Sequence, residues 1–293
     1  MISIILFVLK ASIILSVIAI GLKASFSDSI YLFQRPGHLF RALLSMNVIM
    51  PLIALAIATT FDLNFAVRVA LVALSVSPIP PILPNRALKA GGTEAYTIGL
   101  HVAMALLSII VIPITMAIFG SVTGAPLSMQ ASAVAMVVLT TILGPLAIGI
   151  VIRKLSTPVA DRIARPLGVI SLLLLVLCSI PVLIGEAKPI WSLVGDGTVL
   201  TFVAFAVIGL IVGHFLGGPE PEIRPVLALT TAARHPALAL AIAHANYPDQ
   251  KLAAPAVLLY FLISFIIPIP YLKWVIRERA KNAAPETKRP LEA

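Results

Sequence analysis

Arg234 is the residue whose type and position point most directly to chemistry. It lies in the middle of the apolar stretch LTTAARHPALALAIA. A guanidinium inside an apolar helix is costly to insert and usually faces a cavity or a partner. No acidic residue lies mid-span, since the nearest candidates all sit at span ends or in connectors: Asp62, Glu94, Glu186, Asp196 and Asp249. The pattern predicts that Arg234 binds either backbone carbonyls, as a purely architectural residue, or the carboxylate or sulfonate of a ligand.

Further polar side chains cluster near two interruptions of the apolar pattern. We expect these to complete a substrate- or ion-binding site with Arg234: Asn85, Arg86, Thr97, His101, Thr230, Thr231 and His235. Thr97 and His101 are four residues apart and therefore share one face of a helix. Lys10 lies inside the first apolar stretch, where its long side chain either lines the cavity or extends to the outer surface.

The interruptions themselves are dense in proline. The stretch LSVSPIPPILPNR carries Pro78, Pro80, Pro81 and Pro84 within seven residues, and Pro236 interrupts a later span. Proline removes a backbone donor and clashes with the preceding turn, so a regular helix cannot continue through these segments. Pro84 and Pro236 suit the first turn of a second half-helix. Interruptions at membrane depth survive where they line a cavity or are buried, and a matching pair predicts a transporter binding site.

Composition and hydropathy predict an all-α polytopic membrane protein. Hydrophobic residues make up 60% of the 293-residue chain and charged residues only 11%, against roughly half and a quarter in ordinary globular proteins. Stretches of about twenty apolar residues suffice to cross a bilayer. We predict nine such spans, at residues 2–22, 39–60, 65–89, 94–119, 131–152, 167–185, 198–216, 223–245 and 252–274.

The placement of lysine and arginine predicts the topology. If the connectors after spans one, three, five and seven share a side with the C-terminus, that side carries sixteen cations against four. Positive residues favour the cytoplasmic side. We therefore expect an outside N-terminus, a cytoplasmic C-terminus and a location in the bacterial inner membrane. The net charge of +9 lies in connectors and tail, so nucleic acid is not an expected partner.

Two halves of the chain repeat one pattern. Arg68 and Arg224 each precede a proline by twelve residues, and IVIPI around Pro113 matches FIIPI around Pro268. The matching spans are five apart, an odd offset, so the copies would cross the membrane in opposite directions as an inverted repeat. We predict a first repeat at 1–128 with four spans and its first helix missing, a second at 129–275 with five, and a polar cytoplasmic tail at 276–293.

Enzyme and metal signatures are lacking in the sequence. There is no HExxH motif, nucleophile elbow, phosphate-binding loop or paired intramembrane carboxylate. The single Cys178 excludes an internal disulfide and a thiolate cluster. The sequence predicts no enzyme, no bound metal and no cofactor.

The chain resembles the bile acid:sodium symporter family over almost its full length. The resemblance is carried by FQRPGHLFRALLSMNVIMPL, by the broken segment LSVSPIPPILPNRALKAGG and by LTTAARHPALALAIA. It implies a panel domain beside a core domain, two discontinuous helices that cross in the core, and substrate between the domains. Chains with nine spans and no first helix also occur in that family.

The resemblance also shows departures at the family's sodium site. The family's Asn of the first crossing is kept as Asn85, but the Ser before it is Pro84. The family's sodium-binding Glu falls on Thr230, its Gln on Arg234 and the following Asn on His235. Its Ser and Thr ligands on the next helix fall approximately on Thr97 and His101. A sodium site requires oxygen ligands with some negative charge, whereas here the family's carboxylate is replaced by a threonine and a cation, Arg234, stands nearby.

These observations predict a secondary transporter of small organic anions that works by alternating access. Arg234, and with it Arg86, would neutralise the anion or replace the coupling ion, so sodium coupling would be lost or altered. Other interpretations stay open. One is a sodium-coupled symporter with remodelled ligands, and a proton-coupled variant through His101 or His235 stands between it and the first prediction. Another is a ligand sensor that does not transport. Substrate identity, direction of transport and oligomeric state do not follow from the sequence.

Overall fold

All regular secondary structure in the residues that the structure describes is helical. The computed structural model describes residues 2–283, with side chains from Phe7 to Lys281. Its helices are α1 (Ile2–Gly21), α2 (Phe26–Ile30), α3 (Pro36–Thr60), α4 (Phe65–Val76), α5 (Leu83–Lys89), α6 (Glu94–Thr123), α7 (Ala131–Leu155), α8 (Thr157–Gly185), α9 (Ala187–Ser192), α10 (Thr198–Leu216), α11 (Ile223–Ala232), α12 (Pro236–Asn246), α13 (Ala253–Ile266) and α14 (Pro268–Ala283).

Seven helical segments are long and apolar enough to cross a membrane. They are α3, α6, α7, α8, α10, α11 continued by α12, and α13 continued by α14. Two shorter apolar helices accompany them, Phe7–Gly21 and Phe65–Val76. The chain is therefore an integral membrane protein, and the two shorter helices correspond to the first span and to the first half of the third span predicted above.

Some helices extend beyond the predicted spans. The basic segment placed in a connector before residue 167 is mostly helical, because α8 starts at Thr157 with Pro158 in its first turn, where proline sacrifices no hydrogen bond. The last helix likewise continues through the first residues of the predicted tail to Ala283. Residues 284–293 of that tail lie outside the described part of the chain.

Two helices contain a widened turn immediately before a proline. In α3 the turn Leu44–Ile49 precedes Pro51, and in α7 the turn Leu139–Leu143 precedes Pro145. Proline cannot donate to the carbonyl four residues back and its ring crowds that carbonyl, so the helix locally adopts five-residue hydrogen bonds. In α3 the Met50 N–H accordingly donates to the carbonyl of Ser45. This shift leaves the carbonyl of Met46 without its usual helical donor.

The first helix packs against α7 and α8. The approach is close: a Cβ on Gly21 would lie 2.4 Å from the carbonyl oxygen of Leu146, and one on Gly149 would lie 2.4 Å from that of Ile18. Only glycine permits such contact between backbones, as at small-residue interfaces of membrane helices.

The broken helices are surrounded by the rest of the chain. The first half-helix of the second break, α11, is buried from Pro225 to Ala232 and packs along α10, while α4 packs against α12 and α13. A Cβ on Gly213 of α10 would lie 2.4 Å from the carbonyl oxygen of Leu227. These tight contacts hold both interruptions deep in the molecule.

Candidate functional site

The two helix interruptions lie side by side. Helix α4 ends at Val76 and α5 begins at Leu83, so Pro78, Pro80 and Pro81 all lie in the non-helical segment between them. Helix α11 ends at Ala232 and α12 begins at Pro236. The backbone N–H of His235 donates to the carbonyl oxygen of Pro78 at 2.9 Å. One main-chain hydrogen bond therefore joins the two breaks.

The two half-helices that follow the breaks start as proline chemistry favours. Pro84 is the second residue of α5, and Pro236 is the first residue of α12. His235 caps α12, because its Nδ1 accepts the N–H of Leu238 at 3.3 Å. At the other side of the break, the hydroxyl of Tyr260 donates to the carbonyl of Ala232 at 2.6 Å. The imidazole of His235 and the phenol of Tyr260 thus satisfy backbone groups on the two sides of the second break.

Arg234 lies between the breaks and is 2% exposed. Its Nη1 donates to the carbonyl oxygens of Ser77 and Met46, both at 3.3 Å. Ser77 belongs to the first break, and the Met46 carbonyl is the one freed by the widened turn before Pro51. The guanidinium therefore connects both interruptions to α3 through backbone oxygens.

The charge of Arg234 is not balanced by a carboxylate. Within the described part of the chain, no Asp or Glu is among the buried side chains, and Arg234 forms no ion pair. Its Nε and Nη2 atoms are buried without a hydrogen-bond partner. A buried cation with unused donors attracts anions and repels other cations.

Most predicted polar residues of the crossing are buried. They are Thr97, His101, Thr230, Thr231, Arg234 and His235. The Thr231 hydroxyl pairs with that of Ser45 at 2.6 Å, and Thr230 donates to the carbonyl of Val226 at 2.8 Å. Several buried polar atoms lack any partner within residues 2–283: the Thr97 hydroxyl, both ring nitrogens of His101 and Nε2 of His235. Such atoms are costly to bury and mark places where water, a proton or a ligand binds.

Three of the predicted site residues are not buried. Asn85 is exposed on α5, and Lys10 is exposed on α1. Arg86 is half-buried, donates to the carbonyl of Phe265 at 2.9 Å and lies 4.4 Å from the centre of the Phe265 ring. Arg86 thus joins α5 to α13.

The sequence did not reveal three participants in the site, namely Ser45, the Met46 carbonyl and Tyr260. The sequence did contain a signal for the Met46 carbonyl, because Pro51 in the stretch MNVIMP predicts a disturbed helical turn before the proline. No sequence signal links that turn to Arg234, since 188 residues separate the two partners. Among the described residues, no group of three or more His, Cys, Asp or Glu side chains is placed to hold a metal ion.

A helical membrane protein with paired, hydrogen-bonded breaks in its interior has the features of a membrane transporter. A comparison with protein families is consistent with this class, because the model of the sodium bile acid symporter family matches residues 11–193, more than half of the chain. The chain belongs to that family. Its members are transporters, so the protein is not an enzyme. Among curated proteins, the chain has no match.

Proposed function

We propose that the protein is a secondary transporter of small organic anions in which Arg234 replaces a coupling cation at the crossing of two broken helices. The proposal includes nine spans, an outside N-terminus, a cytoplasmic C-terminus and an inverted repeat, in the bacterial inner membrane. Alternating access would move the group of α1, α7 and α8, as a panel, against the remaining helices, as a core. The breaks would then face each side of the membrane in turn.

The observation that carries the proposal is the position of Arg234, a residue of the second break, against the carbonyl of Ser77 in the first break and that of Met46 in α3, without a carboxylate. Backbone carbonyls at interrupted helices are the groups that coordinate sodium in such transporters. Here a guanidinium donates to two of them, at Ser77 and Met46. A sodium ion at the same place would meet a fixed positive charge in a medium of low dielectric constant, which is strongly unfavourable. The residues at the crossing therefore fit a built-in cation better than a bound sodium ion.

The test is uptake into proteoliposomes with sodium replaced by potassium or choline. We expect uptake of radiolabelled organic anions, screened from mono- and dicarboxylates and sulfonates, to be equal in the three salts. Arg234→Met should abolish uptake while the folded, monodisperse protein is still recovered. Lys251→Met, at an exposed connector position, is the control and should transport normally. Unchanged uptake by Arg234→Met, or uptake that requires sodium, would contradict the assignment.

A second mode of coupling is favoured by His101. Both of its ring nitrogens are buried without a partner, so no hydrogen bond within the described residues fixes its proton, and proton uptake would require a transport state in which the ring meets water. Proton coupling predicts that an inward-directed pH gradient drives concentrative uptake and that His101→Gln removes this drive. A non-transporting sensor instead predicts saturable binding of the anion with no flux in either direction.

A further inference from the structure

A second place in the molecule has the features of an anion site, at the ends of four helices away from the crossing. A cavity of about 520 Å³ lies there. We call it the outer cavity, because the predicted topology places it on the outside. Its walls come from the last turns of α3, the first turns of α4, the last turns of α6 and the end of α12, and include Leu55, Val69, Met116, Val122 and Tyr247. Arg234 is not part of this wall.

Arg68 is the charged residue of the outer cavity. Within the described residues it forms no ion pair, and its Nε is buried without a hydrogen-bond partner. The guanidinium carbon lies 5.7 Å from the centre of the Phe65 ring, which in turn packs edge-on against Tyr247 at 5.1 Å. Aromatic packing thus orients the guanidinium while leaving hydrogen-bond donors unused.

Three other polar side chains of the wall, those of Thr59, Thr123 and Asn246, already have partners in the protein. The hydroxyls of Thr59 and Thr123 donate to carbonyls of their own helices, at 2.9 and 2.7 Å. Asn246 donates to the carbonyl of Ser128 at 2.9 Å and accepts its N–H at 2.7 Å. These hydrogen bonds are made within the protein and hold the wall residues in place. The strongest unsatisfied donor facing the cavity is therefore the cation Arg68.

The repeat-related position on the opposite side holds a smaller cavity. In the register that aligns Pro113 with Pro268, which is one residue shifted from the register of Arg68 and Arg224, Met116 aligns with Tyr271 and Thr123 with Glu278. There, Arg224 shares a space of only about 140 Å³ with Tyr271 and Glu278, and Tyr271 bonds to His214 at 2.8 Å. The cavity beside Arg224 is thus much smaller than the outer cavity and already contains a carboxylate and a second cation, Arg279, whereas Arg68 lines the larger cavity without a carboxylate in its wall.

We propose that the outer cavity binds an organic anion, consisting of one carboxylate on an apolar body, with Arg68 as the group that pairs with the carboxylate. The volume is in the range of small-molecule sites, which are mostly apolar with a few placed polar groups. Arginine binds carboxylates through two parallel hydrogen bonds. This site needs neither Arg234 nor net transport, so it can be tested by binding alone.

Pyrenebutyrate is a suitable probe, since it carries one carboxylate on a fluorescent apolar body. Its binding to the purified full chain in nanodiscs of phosphatidylcholine is followed by fluorescence anisotropy. We expect saturable binding, weakened by at least about tenfold in Arg68→Met, because a charge-assisted hydrogen-bonded pair is lost. Arg224→Met is the matched control at the repeat-related position and should bind as the wild type does. The neutral analogue pyrenebutanol should bind weakly, and equally to all three proteins.

Two further variants and a lipid control test the same site. Thr59→Trp places a bulky ring in the cavity from an exposed position and leaves the charge of Arg68 in place. It should also weaken binding, and it provides the test if Arg68→Met fails to fold. Arg68→Lys should restore part of the affinity. Equal affinity of wild type, Arg68→Met and Thr59→Trp would overturn the site. Displacement of the probe by phosphatidylglycerol added to the nanodiscs would assign the cavity to a lipid headgroup and overturn a soluble anion as its occupant.

Discussion

Replacing Arg234 by glutamine should produce a protein that sodium stabilises, if Arg234 takes the place of the coupling cation as proposed. The substitution removes the buried charge and leaves one amide NH2 group, on a side chain too short to serve both carbonyls, for Ser77 and Met46, which Nη1 now serves together. One carbonyl loses its partner, at a cost of about 1–3 kcal/mol. Removing a buried cation without a carboxylate relieves a desolvation penalty of similar or larger size. We therefore expect the variant to fold.

The variant would then present oxygen atoms without a competing cation. The amide oxygen of the new glutamine would join the two carbonyls and the hydroxyl of Thr230, which retains free lone pairs. Sodium at ten times its dissociation constant stabilises a protein by about 1.4 kcal/mol through mass action. This corresponds to a rise of the unfolding midpoint by roughly 2–4 °C. Wild-type protein should show no such rise, because the charge of Arg234 would repel the ion.

The assay is thermal unfolding of detergent-purified protein in sodium, potassium and choline chloride at equal ionic strength. A second variant, Arg234→Gln combined with Thr230→Glu, adds a carboxylate and should respond at lower sodium concentration. Sodium stabilisation of the wild type equal to that of Arg234→Gln would refute the reasoning, since it would show an ion bound beside the guanidinium. Absence of any sodium effect in the double variant would also contradict it.

Three shorter predictions concern the elements that hold the crossing. Tyr260→Phe leaves the carbonyl of Ala232 without its donor and should lower the free energy of unfolding by about 1–3 kcal/mol, measured as a lower unfolding midpoint with slower anion uptake. Gly213→Leu forces α10 away from α11 and should cost about 1–3 kcal/mol or more, whereas Gly185→Leu, where an added Cβ meets nothing within 4 Å, should leave the midpoint unchanged. His101→Gln should retain anion binding by equilibrium dialysis yet lose uptake driven by a pH gradient; full retention of that uptake would exclude His101 as the proton carrier.

The sequence allowed the positions of the helix ends at the crossing to be predicted, because proline acts locally. Each proline removes a donor and crowds the preceding turn whatever the rest of the chain does, so the interruptions near Pro78 and Pro236 follow from short stretches. The partner of Arg234 could not be found in this way. The Met46 carbonyl lies 188 residues away, and only tertiary packing brings it to the guanidinium.

The surroundings of three polar residues could not be predicted from their positions along the chain. Arg86 and Asn85 were expected at the binding site because they follow the first break closely in sequence. In the structure, α5 directs Arg86 towards Phe265 and leaves Asn85 exposed. Conversely, Arg68 was used only to align the repeats, because nothing in its neighbourhood in sequence indicates the cavity formed by three other helices. Proximity along the chain is a poor guide to which face of a helix a side chain occupies.

The hydrogen bond between His235 and Pro78 has a consequence for how this architecture can change. Donor and acceptor both belong to the main chain, so almost any residue can stand at either position without breaking the joint; only proline at 235 would remove the donor. The hydrogen bond that joins the two helix breaks is thus independent of side-chain identity, proline at 235 excepted. Side chains at and beside the two breaks can therefore be exchanged during evolution while the hydrogen bond that joins the breaks is kept.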